Sequence, residues 1–294
     1  MKHLSLIGRI KVLEELLRVR NCVIGFLGVV LGATLLYPEV VLNSQLILAG
    51  ISVFLIMGAG NMINDYFDWE IDKINKPNRP IPSGRITRND TLMLSLALFF
   101  LGIAITKNIN APCFGLAILN SLFLIFYGKY SKRLILISNF GISYLVASVF
   151  IFGALVPAGL NIGSEQIMLL AILTLCAFLM TFSREIIKDI EDMEGDKANY
   201  AVTLATQFGK KRAKNLAILF TLAAVLTSLL PFFLSLNSFH LLIYGGLVGI
   251  ADVVFLVSLT MYPSLAQRVM VLGMILGLGA FFLGKIFSVI PPFF

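Results

Sequence analysis

The sequence predicts an all-α membrane protein: nine transmembrane helices in two related four-helix halves plus a ninth helix, with a central cavity. Three observations predict it. The 294 residues are 58% hydrophobic and 13% charged, where soluble domains carry roughly 25% charged residues, and mean hydropathy is +0.92. Apolar runs of roughly 17 to 25 residues, long enough to cross a bilayer, recur along the whole chain. The basic residues sort by membrane side instead of forming one patch.

Residues 4–18 place apolar Leu6, Ile10, Leu13, Leu16 and Leu17 among charged neighbours, the pattern of an interfacial helix lying along the membrane before the first span. Residues 1–20 lack the short apolar core of a cleavable signal peptide. Spans are then expected at about 21–37, 46–66, 91–106, 111–127, 134–157, 166–187, 213–235, 239–260 and 267–290. Pro231 predicts a kink in the seventh. The chain thus reads as one membrane domain over 1–294, with halves of roughly 20–133 and 134–262 and a last helix at 267–290.

Charge supports this count. If the N-terminus and the loops after spans 2, 4, 6 and 8 share a side, 21 of the 23 basic residues lie there, all but Lys107 and Lys285. The positive-inside rule assigns that side to the cytoplasm, and an odd number of spans leaves the C-terminus outside. The net charge of +7 is accounted for by this sorting, without nucleic acid. Cys22, Cys113 and Cys176 fall in apolar runs with no ligand-like spacing and read as buried thiols. His3 and His240 are too far apart for a haem or zinc site.

Two polar stretches interrupt the apolar pattern. The first, Asn64-Asp65-Tyr66-Phe67-Asp68-Trp69-Glu70-Ile71-Asp72, puts four acids in nine positions. On a helix, Asn64, Asp68 and Asp72 recur at i, i+4 and i+8 and share a face. Oxygen-bearing side chains stacked this way repel unless a cation sits between them. Mg²⁺ suits, because it takes oxygen ligands and bridges carboxylates to substrate phosphates; a solvated helix end with scattered charge is the plainer reading of this stretch taken alone. The second stretch closes the sixth span and holds Glu185, Lys188, Asp189, Asp192 and Asp196. Asp68 and Asp192 are 124 positions apart, as are Asp72 and Asp196. Each stretch ends the second helix of a four-span block, so the chain reads as two related halves, an arrangement that places a shared site where they meet.

The segment Pro77-Asn78-Arg79-Pro80-Ile81-Pro82-Ser83-Gly84 predicts a stiff, extended, turn-punctuated loop that holds Arg79 and Arg85 in place. Arginine suits phosphate oxygens; the same two residues would also neutralise nearby acids. The fourth span ends in Phe126-Tyr127-Gly128-Lys129-Tyr130-Ser131-Lys132-Arg133. Its tyrosines fit interfacial anchors, and Lys132 and Arg133 are candidate contacts for a phosphorylated headgroup or a diphosphate. Asp252, inside the eighth span, reads either as a functional carboxylate or as a neutral, hydrogen-bonded helix contact.

Acids at helix ends in a hydrophobic bundle describe a site for a molecule with a charged head and a lipid tail. Metal held by the acids would clamp a diphosphate. On an allylic chain that diphosphate becomes a leaving group, and a nucleophile captures the carbocation in an apolar cavity that excludes water.

The pattern Asn64-x-x-x-Asp68-x-x-x-Asp72 with Asp192-x-x-x-Asp196, in a nine-span chain, resembles the UbiA superfamily of intramembrane prenyltransferases over essentially its whole length. The resemblance implies that Asn64, Asp68, Asp72, Asp192 and Asp196, with Asp189 added, coordinate Mg²⁺ on a prenyl diphosphate. It makes Asp68, Asp72, Asp192 and Asp196 the catalytic acids. Arg79, Arg85, Tyr127, Lys132, Arg133 and Lys188 are then the candidates for binding phosphate oxygens. The strings at 64–72, 76–84 and 184–196 look most like the archaeal ether-lipid branch of the superfamily. Enzymes of that branch move a geranylgeranyl group from its diphosphate to the free hydroxyl of geranylgeranylglyceryl phosphate, which makes the second ether bond of archaeal lipids. The expected partners are a prenyl diphosphate donor, a phosphorylated lipid acceptor and the bilayer of the cell membrane, with no nucleic acid, no obligate protein partner and a site open to the cytoplasmic side. Transfer to an aromatic acid or quinone precursor uses the same aspartates and is the alternative within the superfamily. A lipid or phospho-metabolite transporter is the alternative of another class, but its charged site would be expected near the bilayer midplane, whereas both acidic stretches lie at one face.

Overall fold

The computed structural model describes residues 5–37, 43–130, 135, 137–157, 163–198, 200–234, 236 and 239–289. Among these, nine helices are long and apolar enough to cross a membrane, the number expected. The chain packs as two units, one of Met1–Val30 and Leu42–Lys132, the other of Leu31–Val41 and Arg133–Phe294.

The first unit contains α1 (Leu6–Leu17), the start of α2 (Val19–Leu36), α3 (Ser44–Phe67), α4 (Trp69–Asn75), α5 (Arg88–Thr106) and α6 (Ala111–Tyr130). The Ser5 hydroxyl accepts the Gly8 N–H at 3.2 Å and starts α1. Val12 and Leu16 of α1 are buried with Met62, Ile81 and Ile86, while Leu6, Ile7 and Ile10 stay exposed, as on a helix lying at a bilayer surface. The helix ends at Arg18 in the left-handed conformation (φ 53°), uncommon for a residue with a Cβ. The Asn61 amide donates to the Leu17 carbonyl at 2.8 Å, one of the acceptors a helix end leaves open. Between α3 and α5, the Ser52 hydroxyl donates to the Gly102 carbonyl at 2.8 Å and the Ser95 hydroxyl to the Ala59 carbonyl at 2.9 Å. Both of these serine hydroxyls are satisfied within the protein, as a bilayer interior favours.

The second unit contains the end of α2, then α7 (Ile137–Leu155), α8 (Ser164–Glu191), α9 (Met193–Ala198), α10 (Leu204–Ser228), α11 (Leu230–Phe233), α12 (Leu241–Ser258) and α13 (Pro263–Val289). Gly32 lets α2 approach α7 closely: a Cβ there would lie 2.1 Å from the Phe150 carbonyl oxygen. Tyr244 is fully buried against Phe232, Phe239 and Phe281 and donates to the Ser228 carbonyl at 2.7 Å. The Ser228 hydroxyl donates to Asp252 at 2.9 Å, so Asp252 ties α12 to the end of α10.

The seventh span differs from expectation at its start. It begins at Leu204 instead of near residue 213 and passes a bend at Gly209 (φ 81°). The lysines at 210, 211 and 214 break the apolar run, yet the Thr203–Thr206 capping box starts the helix before them. Near its other end the helix breaks at Leu229, ahead of Pro231, whose ring lacks the N–H that would continue the ladder.

Candidate active site

The first acidic stretch begins in α3 and runs through α4. The backbone bends at Asp68 (φ −85°, ψ 0°), but the helical hydrogen-bond register persists. The Asp68 N–H donates to the Asn64 carbonyl at 2.9 Å, Asp72 to Asp68 at 2.8 Å and Lys76 to Asp72 at 2.8 Å. Asn64, Asp68 and Asp72 therefore stand in file, one turn apart. Asp68 and Asp72 are only 8% and 4% exposed. Next to the bend, the Trp69 ring is covered by the Lys73 ammonium at 3.7 Å and the Arg88 guanidinium at 5.2 Å.

Arg79 pairs with the last acid of this file and with neighbouring Asp65. Its Nη1 donates to Asp72 at 2.6 Å and to Asp65 at 3.1 Å, and Asp65 also accepts from Arg18 at 2.8 Å. The left-handed turn at Arg18 thus ends α1 at the residue that meets Asp65. A cleft of about 440 Å³ is lined by Arg18, Asp65, Lys76 and Arg79 together with Pro77 and Pro80. The loop bearing Arg79 closes into turns rather than running extended. The Gly84 N–H donates to the Ile81 carbonyl at 3.0 Å and the Ser83 hydroxyl to the Arg79 carbonyl at 2.7 Å. Gly84 supplies the required positive φ of 73°. Buried Ile81 and Ile86 anchor the loop beside Met62.

Arg85 points elsewhere. It makes a two-pronged pair with Glu15 at 2.9 and 2.7 Å and donates to the Asn78 carbonyl at 2.5 Å. The hydrogen bonds from Arg85 hold the Glu15 carboxyl below the ordinary glutamate range, and Glu15 raises Arg85 in turn. Arg85 therefore fastens the loop to α1. Tyr127 is half-buried on α6. At the next residue, Gly128, a Cβ would lie 3.3 Å from the Phe67 ring and 3.6 Å from the Asn64 Cα, so the end of α6 packs on the acidic stretch. Lys132 and Arg133 lie outside the described residues.

The second stretch is built the same way. The backbone bends at Asp192 (φ −81°, ψ 0°) between α8 and α9. The Asp192 N–H donates to the Lys188 carbonyl at 2.9 Å and Asp196 to the Asp192 carbonyl at 2.9 Å, which puts Lys188, Asp192 and Asp196 in file. Asp189 accepts from the amide of Asn139, a fully buried residue of α7, at 2.8 Å. Buried Glu185 accepts from Arg184 at 2.6 Å and from Lys188 at 3.4 Å. Asp192 itself is exposed, so this stretch is the more open of the two.

Sequence reasoning missed Asp65, Arg18 and Asn139. Asp65 was findable, because Asp189 lies 124 positions after it, the spacing that relates Asp68 to Asp192. Arg18 and Asn139 carry no such signal: their partners are 47 and 50 residues away.

Among the described residues, no three acidic, histidine or cysteine side chains converge on one point. Mg²⁺ is commonly held by one or two carboxylates, with water and substrate phosphates filling the other positions. Files of hard oxygen donors without a closed cage fit that ion.

Nine membrane-length helices among the described residues, with one bent acidic helix end in each packing unit, make an integral-membrane enzyme of the prenyltransferase class. The chain matches the model of the UbiA prenyltransferase family over residues 25–275, and it belongs to that family. It is 39% identical over 287 residues to the digeranylgeranylglyceryl phosphate synthase of Methanosarcina mazei, which covers 92% of this chain and 96% of the relative. With that of Methanococcus aeolicus the identity is 42% over 229 residues, 78% of this chain and 79% of the relative. A solved structure concerned with digeranylgeranylglyceryl phosphate synthase in membranes is 36% identical, with a TM-score of 0.78 over 94% of this chain and 98% of that one. A UbiA homolog from Archaeoglobus fulgidus, solved bound to GPP and Mg²⁺, shares the fold at 16% identity with a TM-score of 0.72, over 93% and 99% of the two chains.

Proposed function

We propose that this prenyltransferase moves a geranylgeranyl group from geranylgeranyl diphosphate to the free hydroxyl of geranylgeranylglyceryl phosphate, forming the second ether bond of an archaeal lipid. The observation that carries the diphosphate chemistry is the file of acids through a helix bend, built at Asp68 and again at Asp192. The choice of acceptor is supported by the relatives from Methanosarcina mazei and Methanococcus aeolicus, themselves digeranylgeranylglyceryl phosphate synthases.

In this reading Asn64, Asp68, Asp72, Asp189, Asp192 and Asp196 hold Mg²⁺. The bound ion supplies Lewis-acid neutralisation of the diphosphate. Arg79, already at Asp72, takes donor phosphate oxygens with its planar fork, while Arg18 keeps Asp65 compensated. Arg85 acts through the loop by holding it to α1. Tyr127, Lys132, Arg133 and Lys188 contribute to the phosphates of donor and acceptor. The bond from C1 of the donor to the diphosphate oxygen breaks, and the diphosphate leaves with the electron pair. The acceptor hydroxyl oxygen bonds to C1, and its proton passes to a nearby carboxylate or to the released diphosphate. Charge sorting supports a cytoplasmic N-terminus, an outside C-terminus and a site open to the cytoplasm.

Replacing one acid in each stretch tests this. Asp68→Asn and Asp192→Asn should each lower turnover about 100-fold or more, a loss of roughly 2.7 kcal/mol of transition-state stabilisation, with the thermal transition retained. Wild-type turnover in either variant would remove that acid from the chemistry.

A further inference from the structure

In the second unit a cleft of about 330 Å³ opens on the reverse side of α8. Lys210, Lys211 and Lys214, from the turns of α10 just after the Gly209 bend, line it together with apolar Ile187 and Ile190 of α8 and Leu259 at the end of α12. Ile187 lies two positions before Asp189 and Ile190 two before Asp192, each about 200° around a helix, and neither aspartate lines the cleft. The cleft therefore backs onto the acidic stretch and is separate from it.

The three lysines are exposed, and among the described residues none of them has an ion-pair or hydrogen-bond partner. A solvated helix face accounts for lysines, but not for the apolar recess they border. Lysine stems lie readily along apolar walls while their ammonium groups stay in a polar layer. A soluble anion would satisfy only the ammonium groups, and a neutral lipid only the walls. A ligand with an anionic head and a hydrocarbon chain satisfies both, and basic pockets between transmembrane helices suit such headgroups.

We propose that this cleft binds an anionic membrane lipid, with its phosphate on Lys210, Lys211 and Lys214 and a chain along Ile187, Ile190 and Leu259. Bound there, the lipid braces the end of α8 from behind, the same helix end that carries Asp189 and Asp192.

The test is native mass spectrometry of the full chain in detergent, titrated with dioleoylphosphatidic acid or dioleoylphosphatidylcholine. Phosphatidic acid should show one binding event that is tighter than any with phosphatidylcholine. The Lys210→Gln/Lys211→Gln/Lys214→Gln variant should weaken that event at least about tenfold. A charge-matched control, Lys11→Gln/Arg20→Gln/Arg212→Gln, should leave it unchanged. Met261→Glu, which puts a carboxylate at the cleft with every lysine kept, should weaken it as well. Equal weakening in the lysine variant and the control would reduce the effect to general attraction and overturn the proposal. So would retention of the event in the lysine variant, equal binding of the two lipids, or displacement by excess sn-glycerol 3-phosphate, which carries the headgroup without chains.

Discussion

Arg79 sits between two buried carboxylates, and removing it leaves each with less than it needs. Asp65 would keep Arg18, but Asp72, 4% exposed, would lose its 2.6 Å donor. A hydrogen bond to a charged group contributes about 1.5–3 kcal/mol, so Arg79→Lys, which keeps the charge but loses the fork, should cut kcat/KM for the donor about 10- to 100-fold. Steady-state kinetics at saturating acceptor measures this, and an unchanged donor kcat/KM would show that Arg79 only props up the loop. Asn139→Ala removes the donor to Asp189. It should lower stability by about 1–3 kcal/mol, read as a fall in the detergent melting temperature, and should raise the Mg²⁺ concentration needed for half-maximal turnover. The acids of the two files were legible in the sequence because carboxylates at i, i+4 spacing stand out in an apolar chain. The residues that hold those acids were not, because Arg18 and Asn139 reach their partners only after distant helices pack.

Among the elements, the two bends are the most informative feature. Phe67 ends α3 and Trp69 opens α4; 124 positions later Glu191 ends α8 and Met193 opens α9. The residues between, Asp68 and Asp192, have nearly the same dihedral angles. A spacing noticed in the sequence thus corresponds to a repeated local structure, although nothing in the sequence marked the bend itself. Most span limits were readable because apolar length is a strong signal. The start of α10 was not, since its lysines interrupt the apolar run while the capping threonines sit upstream. Glycine packing gives a sharper prediction at this scale. Gly32→Ala sets a Cβ 2.1 Å from a backbone oxygen of α7, and overpacking of this kind costs about 1–3 kcal/mol or more. Gly115→Ala, on α6 with nothing within 4 Å of the added Cβ, should be neutral or stabilising by up to about 1 kcal/mol. Melting temperatures of the two variants in one detergent should separate in that order; a similar fall in both would contradict the packing of α2 on α7.

For the whole molecule, apolar composition and the sorting of charge were enough to read nine spans, and the family match spans residues 25–275. The identity of the acceptor was the least legible property, since in the proposed mechanism the acids act on the donor whatever receives the prenyl group. A transfer assay on the purified protein therefore tests the central claim most directly. Geranylgeranyl diphosphate is supplied with Mg²⁺ and, in separate reactions, with geranylgeranylglyceryl phosphate or 4-hydroxybenzoate. Diether phosphate that forms only with Mg²⁺ present, and no prenylated aromatic acid, is the result expected. Transfer to the aromatic acid in preference to the glyceryl phosphate, or diether formation that persists in excess chelator, would contradict it.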